Sequence, residues 1–219
     1  LNLLFADWAN RGLNQWTIDQ TSITVASGVG EYPAGNLTLN VASSTSFSVG
    51  ETITGGTSAA TASITSKPSS TSFTTTIPSG TFSSGETITG STSAATTTVS
   101  SAQDFSDVQS TIDILSTVVT RDSTDFAIDR LSRSEFLNIP TKTQTGRPNQ
   151  FFLDRQITPV LKIWPVPDNN TDIIKFDRLT RIVDADTFTN TVDVPFRFYP
   201  CFAAGLAYYL SMKKAPQVM

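Results

Sequence analysis

The sequence predicts an α+β fold: a helical bundle from both chain ends, a β-hairpin region between them, and an inserted all-β repeat domain. Three observations predict it. Apolar residues recur every three to four positions at both ends, β-branched residues alternate with polar ones through the middle, and one short unit occurs twice. With 219 residues the chain has room for one or two domains, at roughly 100 to 200 residues each. The division is a core of 1–33 with 107–219, and an insert of 34–106 carrying repeats at 47–64 and 82–99.

Residues 1–16 place Leu4, Phe5, Trp8, Ala9, Leu13 and Trp16 on one helical stripe, with Gly12 as the weak point. From Thr17 the pattern turns to Ile18, Ile23 and Val25 among Thr and Ser, a short strand before Tyr32 and Pro33. Residues 34–106 are about half Ser or Thr, and Glu51, Lys67 and Glu86 are their only charges before Asp104. Low complexity of this kind often marks a linker. Here 47–64 (FSVGETITGGTSAATASI) returns as 82–99 (FSSGETITGSTSAATTTV) with thirteen of eighteen positions identical, so a β module of two packed copies is expected. Thr52-Ile53-Thr54 and Thr87-Ile88-Thr89 suit half-buried strands, Gly50, Gly55, Gly56, Gly85 and Gly90 suit the turns, and Phe47 and Phe82 anchor each unit.

Beyond Asp107, residues 112–119 read as a strand, 122–125 as a turn and 126–131 as the returning strand of a hairpin. Ser132 and Glu135 stand three apart, the spacing of a capping box, and Pro140 ends the helix that follows. Strands are expected at 151–153 and 160–166. Trp164-Pro165-Val166-Pro167 belongs at an edge or outside the sheet, since proline lacks the N–H of the ladder. A turn at 168–172 and a strand at 173–182 make a second hairpin. The last helix begins near Asp193 and Pro195, Pro200 kinks or restarts it, and the small residues Ala203, Ala204, Gly205 and Ala207 let it approach the first helix.

Composition excludes several functions. No histidine occurs, which removes His-based acid–base catalysis, Ser-His and Cys-His pairs, and His-ligated metals; no catalytic residue, cofactor or metal is assigned. A single cysteine, Cys201, forms no intrachain disulfide and is expected buried and inert, consistent with assembly in a reducing cytoplasm. The net charge of −4 argues against binding nucleic acid by neutralising phosphates. No apolar run nears the ~20 residues of a membrane span, so no membrane partner is expected. Leu1 in place of Met, with helical pattern at both ends, leaves room for further residues outside 1–219. Paired carboxylates need no histidine, so Glu51 and Glu86 keep a cell-wall glycan hydrolase open beside a structural reading; the shared GETITG context favours a repeated structural role.

With the insert set aside, the segments LNLLFADWANRGLNQWTI, GVGEYP, TIDILSTVVTRD, LSRSEFLNIPTKTQTGRPNQFFLDRQ, PVLKIWPVPDNNTD and DVPFRFYPCFAAGLAYYLSMKKAP follow in order. This order, above all GRPNQFFLDRQ, then WPVPDN, then AGLAYYLSMK, resembles the head-to-tail adaptor family of podoviruses, also called tail tubular protein A or portal-proximal tail accessory factor. The resemblance covers 1–32 and about 107–216. It implies a structural subunit, not an enzyme, in a homo-oligomeric ring of about twelve copies at the portal vertex of the virion tail. The ring would contact portal protein and tail nozzle protein, support tail fibres, and let genomic DNA pass without sequence-specific binding. In such a ring complementary charges set register between neighbours. Interleaved Arg and Asp serve equally as a solvated surface; the candidate interface residues are Arg147, Arg155, Arg178, Arg181 and Arg197, together with Trp164 beside its prolines. A rival role is a host-surface or glycan-binding module carried by the insert.

Overall fold

A computed structural model of the chain describes residues 2–12, 17–182 and 194–214. The chain divides into two compact units, Leu1–Ile18 with Leu179–Met219, and Asp19–Arg178. Among the described residues there are fourteen strands in three sheets and four α-helices. The chain is therefore mostly β. This overturns the helical bundle expected from both ends: the strands between 107 and 180, with two more from residues 18–33, build two sheets with their own core, and the helices of the two ends meet only in a small cluster.

In the larger unit two four-stranded sheets face each other. One has the order β1 (Ile18–Thr24), β14 (Ile173–Thr180), β9 (Thr111–Arg121) and β10 (Thr124–Ala127). The other has β11 (Asp129–Arg130), β12 (Gln150–Asp154), β13 (Val160–Trp164) and β2 (Glu31–Pro33). Alternate residues of both sheets, among them Ile114, Val119, Phe151, Leu153, Leu161, Ile174 and Phe176, fill the space between. Tyr32, fully buried, donates its hydroxyl to the Ala26 carbonyl at 3.1 Å and accepts the Ala26 N–H at 2.8 Å. Burial pushes this phenol well above its ordinary range.

Of the two expected hairpins the first forms, β9 pairing antiparallel with β10, though its returning strand is shorter than expected, and the second does not form. The strand expected at 126–131 ends at Ala127, and the chain crosses to the other sheet, where Asp129 and Arg130 pair parallel to β12. Segment 173–180 does not return along β13; it lies between β1 and β9. Local alternation fixes which face of a strand is buried, and it is silent on which neighbour the strand chooses. The prolines act as expected: β13 stops at Trp164, before Pro165.

The third sheet has the order β3 (Thr38–Asn40), β6 (Ser72–Thr75), β5 (Thr61–Ser69), β4 (Thr52–Gly55), β7 (Thr87–Gly90) and β8 (Thr96–Thr98). Bridges Val41–Val99 and Thr38–Asp104 pair its first and last members, closing it into a small barrel whose strand edges are covered. Its separate core holds Leu39, Phe47, Ile53, Ile64, Phe73, Phe82 and Ile88. The two repeats join through β4 and β7, with Ile53 opposite Gly90, Thr54 opposite Thr89 and Gly55 opposite Ile88, a register that maps onto itself when the repeats are exchanged. The positive φ falls on Gly50 and Gly85 and, with no sequence signal, on Ala59 and Ala94. Gly55 and Gly90 are glycine for space: a Cβ would lie 2.7 Å from Glu86 and 2.5 Å from Glu51 respectively.

The entry to the barrel is tied to its exit. Asp107, in helix α2 (Ser106–Ser110), accepts the Asn36 N–H at 2.7 Å and binds Arg178 at 2.7 Å, and Arg178 also reaches Asp19 at 2.9 Å. Arg178 is 4% exposed; burial opposes its charge, and hydrogen bonds to Asp107 and Asp19 outweigh burial and raise its pKa.

In the smaller unit, α1 (Asn2–Asn10) sets Leu4, Phe5 and Trp8 against Phe198, Phe202 and Tyr209, from the 3-10 turn Phe196–Phe198 and α4 (Tyr199–Lys214). At Gly205 a Cβ would lie 2.7 Å from Leu4, so glycine sets how close the helices come. The first helix is shorter than its sequence pattern, ending at Asn10, with Gly12 at φ +74°; Leu13 and Trp16 lie outside the described residues, as does Asp193. Pro200 sits in the first turn of α4, where its missing N–H costs no hydrogen bond. Cys201, expected buried, is exposed on that helix.

Candidate functional site

One surface concavity is built around α3 (Arg133–Leu137). Its start is fixed by the capping box: Ser132 Oγ accepts the Glu135 N–H at 3.3 Å, and Glu135 accepts the Ser132 N–H at 2.7 Å. This holds the short helix over the outer face of β12, the face opposite Phe151 and Leu153. Phe136 stacks on Phe152 with centroids 5.4 Å apart, and the Arg133 guanidinium lies 5.7 Å from the Phe152 ring. Beside them Leu137 is 70% exposed.

The cavity so formed holds about 380 Å³ and its lining is mostly apolar, with Phe136, Phe152, Ile163 and Val166 beneath. Charges ring it. Arg133 pairs with Asp154 at 2.5 Å, and Lys162 pairs with Glu31 at 2.8 Å. Lys142 Nζ donates to the carbonyls of Leu137 and Ile139 at 2.9 and 3.1 Å, satisfying the end of α3. Three cations therefore face two carboxylates, and the rim carries one positive charge in excess. An apolar floor with a few placed charges suits a docked side chain flanked by acids.

A second exposed apolar surface lies on α4. Apart from Ser211, Lys213 and Lys214, its residues are aromatic, aliphatic, sulfur-bearing, glycine or proline, yet none is buried. Tyr199, Tyr208, Leu210 and Met212 are between 43% and 53% exposed, and Leu3 of α1 is 72% exposed beside them. A helix apolar on every side is ordinarily covered on every side.

The acids kept open for hydrolysis have another occupation. Glu51 is 4% exposed and accepts from the N–H groups of Ser48, Thr92 and Ser93 and from the Ser93 hydroxyl. Glu86, 5% exposed, accepts the same set from Ser83, Thr57, Ser58 and the Ser58 hydroxyl. Burial pushes both carboxyls up, and the converging donors outweigh it, holding both below the usual glutamate range. A general acid needs the opposite shift. Among the described residues, no group of three or more Cys, Asp and Glu side chains is placed to hold a metal ion.

The sequence-derived interface residues do not converge on one patch. Arg147 is exposed, with its guanidinium 3.8 Å from the Phe126 ring centroid. Arg155 is exposed and shares Asp113 with Arg130, both at 2.7 Å. Trp164 is half-buried and its indole N–H donates to the Thr141 carbonyl at 2.9 Å. Arg178 is engaged inside the subunit, as above. Arg181 and Arg197 are exposed in the smaller unit, Arg197 lying 5.2 Å from the Phe198 ring. Sequence reasoning missed Arg133, Phe136, Lys142, Phe152 and Lys162. The capping box located α3, but no local pattern announces that a five-residue helix will stand over one particular strand.

Comparison with protein-family models, with curated proteins and with solved structures found no match to this chain.

Proposed function

We propose that this chain is the ring-forming head-to-tail adaptor subunit of a short-tailed bacteriophage, set between portal and tail nozzle, and that it works by cohesion between copies. The ordered segments from LNLLFADWANRGLNQWTI to DVPFRFYPCFAAGLAYYLSMKKAP support this reading. The single structural observation that carries it is α4, which presents apolar residues all round and buries none of them. Six of the large exposed apolar residues are Leu3, Phe196, Tyr199, Tyr208, Leu210 and Met212. At roughly 150–250 Å² for a large aromatic side chain, their exposed parts together approach the ~800 Å² that each partner contributes to a standard interface.

Two unlike surfaces, the α4 face and the charged cavity under α3, also fit the head-to-tail contacts of a closed ring. Negative-stain class averages of purified full-length protein, with native mass spectrometry, test the proposal. Closed rings of about twelve copies are expected; a monomer at every concentration, or a location in virions away from the portal vertex, overturns it.

One observation favours the rival role for the barrel. Thr61, Thr54, Thr89 and Thr96 form a single row across β5, β4, β7 and β8, and Thr52 and Thr87 flank it without any charge. Such an uncharged hydroxyl face suits a neutral glycan. Virions lacking residues 37–105, which retain Asp107, discriminate: tails that assemble and fail to adsorb favour the glycan role, and tails that fail to assemble favour a scaffold role.

A further inference from the structure

We propose that the β9–β10 turn of one copy, led by Asp122, docks into the cleft formed by Arg130, Arg133 and Arg155 of the next copy. The second copy rests on the ring reading above, and the contact names surfaces through which neighbours join.

The cleft lies beside α3 and holds about 280 Å³, with Leu131 and Phe152 among its walls. Two carboxylates serve its three arginines: Asp113 binds Arg130 and Arg155, each at 2.7 Å, and Asp154 binds Arg133. One positive charge is left over. The side chains of Arg133 and Arg155 are 75% and 57% exposed, and each commits only Nη2 to a carboxylate. Among the described residues Nε and Nη1 of both have no protein acceptor. A planar guanidinium with donors to spare is suited to an incoming carboxylate.

The occupant must bring a carboxylate that no cation already holds. Asp122 is exposed, and among the described residues no hydrogen bond or ion pair reaches its side chain. It stands at a hairpin tip: Arg121 lies opposite Thr124, which leaves Asp122 and Ser123 as a two-residue turn with φ of 50° and 63°. The base of the turn is braced, since Arg121 pairs with Asp172 at 2.7 Å and Lys175 pairs with Asp125 at 3.2 Å. A tip held in shape before contact loses little freedom on docking.

Topology makes the contact one between copies. Asp113, which holds two of the cleft's arginines, is the third residue of β9, and Asp122 directly follows the last. At the usual rise per residue, cleft and tip lie roughly 25 to 30 Å apart at opposite ends of one strand. A subunit cannot fill its own cleft. Two unlike surfaces at opposite ends meet head to tail, and such a contact closes into a ring or runs on as a filament. The exposed charges contribute more to register than to raw affinity.

The test follows assembly of the full-length protein by mass photometry across a concentration series. Asp122→Asn removes the charge and keeps a residue that tolerates positive φ. It is expected to raise the concentration for half-assembly by about tenfold or more, with an unchanged melting temperature. Arg155→Gln should do the same. The double variant should be within about threefold of either single, because one shared contact is lost only once. A photoreactive residue in place of Thr124 should crosslink to residues 130–133 or 153–155 of another copy. Rings formed by Asp122→Asn at the parental concentration, single effects that multiply in the double variant, or crosslinks elsewhere overturn the docking and leave the ring reading intact. Open filaments with the expected crosslink keep the docking and overturn the ring. A parent protein that stays monomeric at every concentration removes both.

Discussion

Glu51 in the first repeat and Ser93 in the second are joined by two kinds of bond, a backbone N–H at 3.0 Å and a hydroxyl at 2.9 Å, and Glu86 and Ser58 repeat the arrangement in the opposite direction. Each glutamate organises its own turn, through Ser48 or Ser83, and also the TSAAT turn of the other copy. The repeats are thus reciprocal parts of one core. A buried carboxylate without a cation is tolerated because four converging donors replace its water.

Replacing Glu51 with glutamine keeps the shape and turns half of the acceptor set into a donor. Each single variant, Glu51→Gln or Glu86→Gln, is expected to lose about 1–3 kcal/mol of stability, the range for a buried polar group left unmatched. Urea denaturation followed by circular dichroism measures it, and a loss below about 0.5 kcal/mol would show that the shared turns are held by other contacts.

Acid should act on the same pair. Both carboxyls titrate lower folded than unfolded, so the unfolded chain binds more protons in that window. Their contribution is complete above the ordinary value near 4.5 and is lost as the pH falls through the lowered folded value. Denaturation series between pH 6 and pH 3 should show a steeper loss for the parent than for the Glu51→Gln, Glu86→Gln double variant. Parallel curves for the two proteins would contradict this.

Gly35 marks the join between sandwich and barrel. A Cβ there would lie 2.5 Å from Arg178 Nη1 and 3.1 Å from the Val108 backbone, so the Arg178–Asp107 pair would have to shift. Gly35→Ala is expected to destabilise by about 1–3 kcal/mol, as overpacking does in a filled interior. Thermal melting reads this; an unchanged midpoint would mean the join yields without strain.

The α4 face separates folding from assembly. Tyr208 and Leu210 are 53% and 52% exposed, so Tyr208→Lys with Leu210→Glu should leave subunit stability within about 0.5 kcal/mol per site. The same changes should abolish higher-order species in mass photometry. Assembly at parental concentrations by the double variant would exclude this face from the contact.

Much of the local structure was legible in the residues. The alternations at 52–54 and 87–89 fall in β4 and β7, the Ser132/Glu135 spacing is a formed capping box, and Pro165 follows the last residue of β13. Each depends on interactions within a few residues, which a sequence states directly. The repeat itself announced that two equivalent units exist, because recurrence in phase is visible without any coordinates.

Partner choice was not legible. Whether 173–180 runs beside β13 or between β1 and β9, and whether the helices of the two ends make a bundle or a small patch, is decided by nonlocal burial, where one alternating pattern satisfies several arrangements equally. Arg178 read as a candidate interface residue and lies buried between Asp19 and Asp107, and Glu51 read as an acid with a repeated structural role and bridges the two repeats. The residues alone determined which side chains seek cover and which turns are possible. Only the tertiary structure decided what covers them, because hydrophobic burial is nondirectional, whereas the hydrogen bonds that choose among arrangements join residues far apart in the chain.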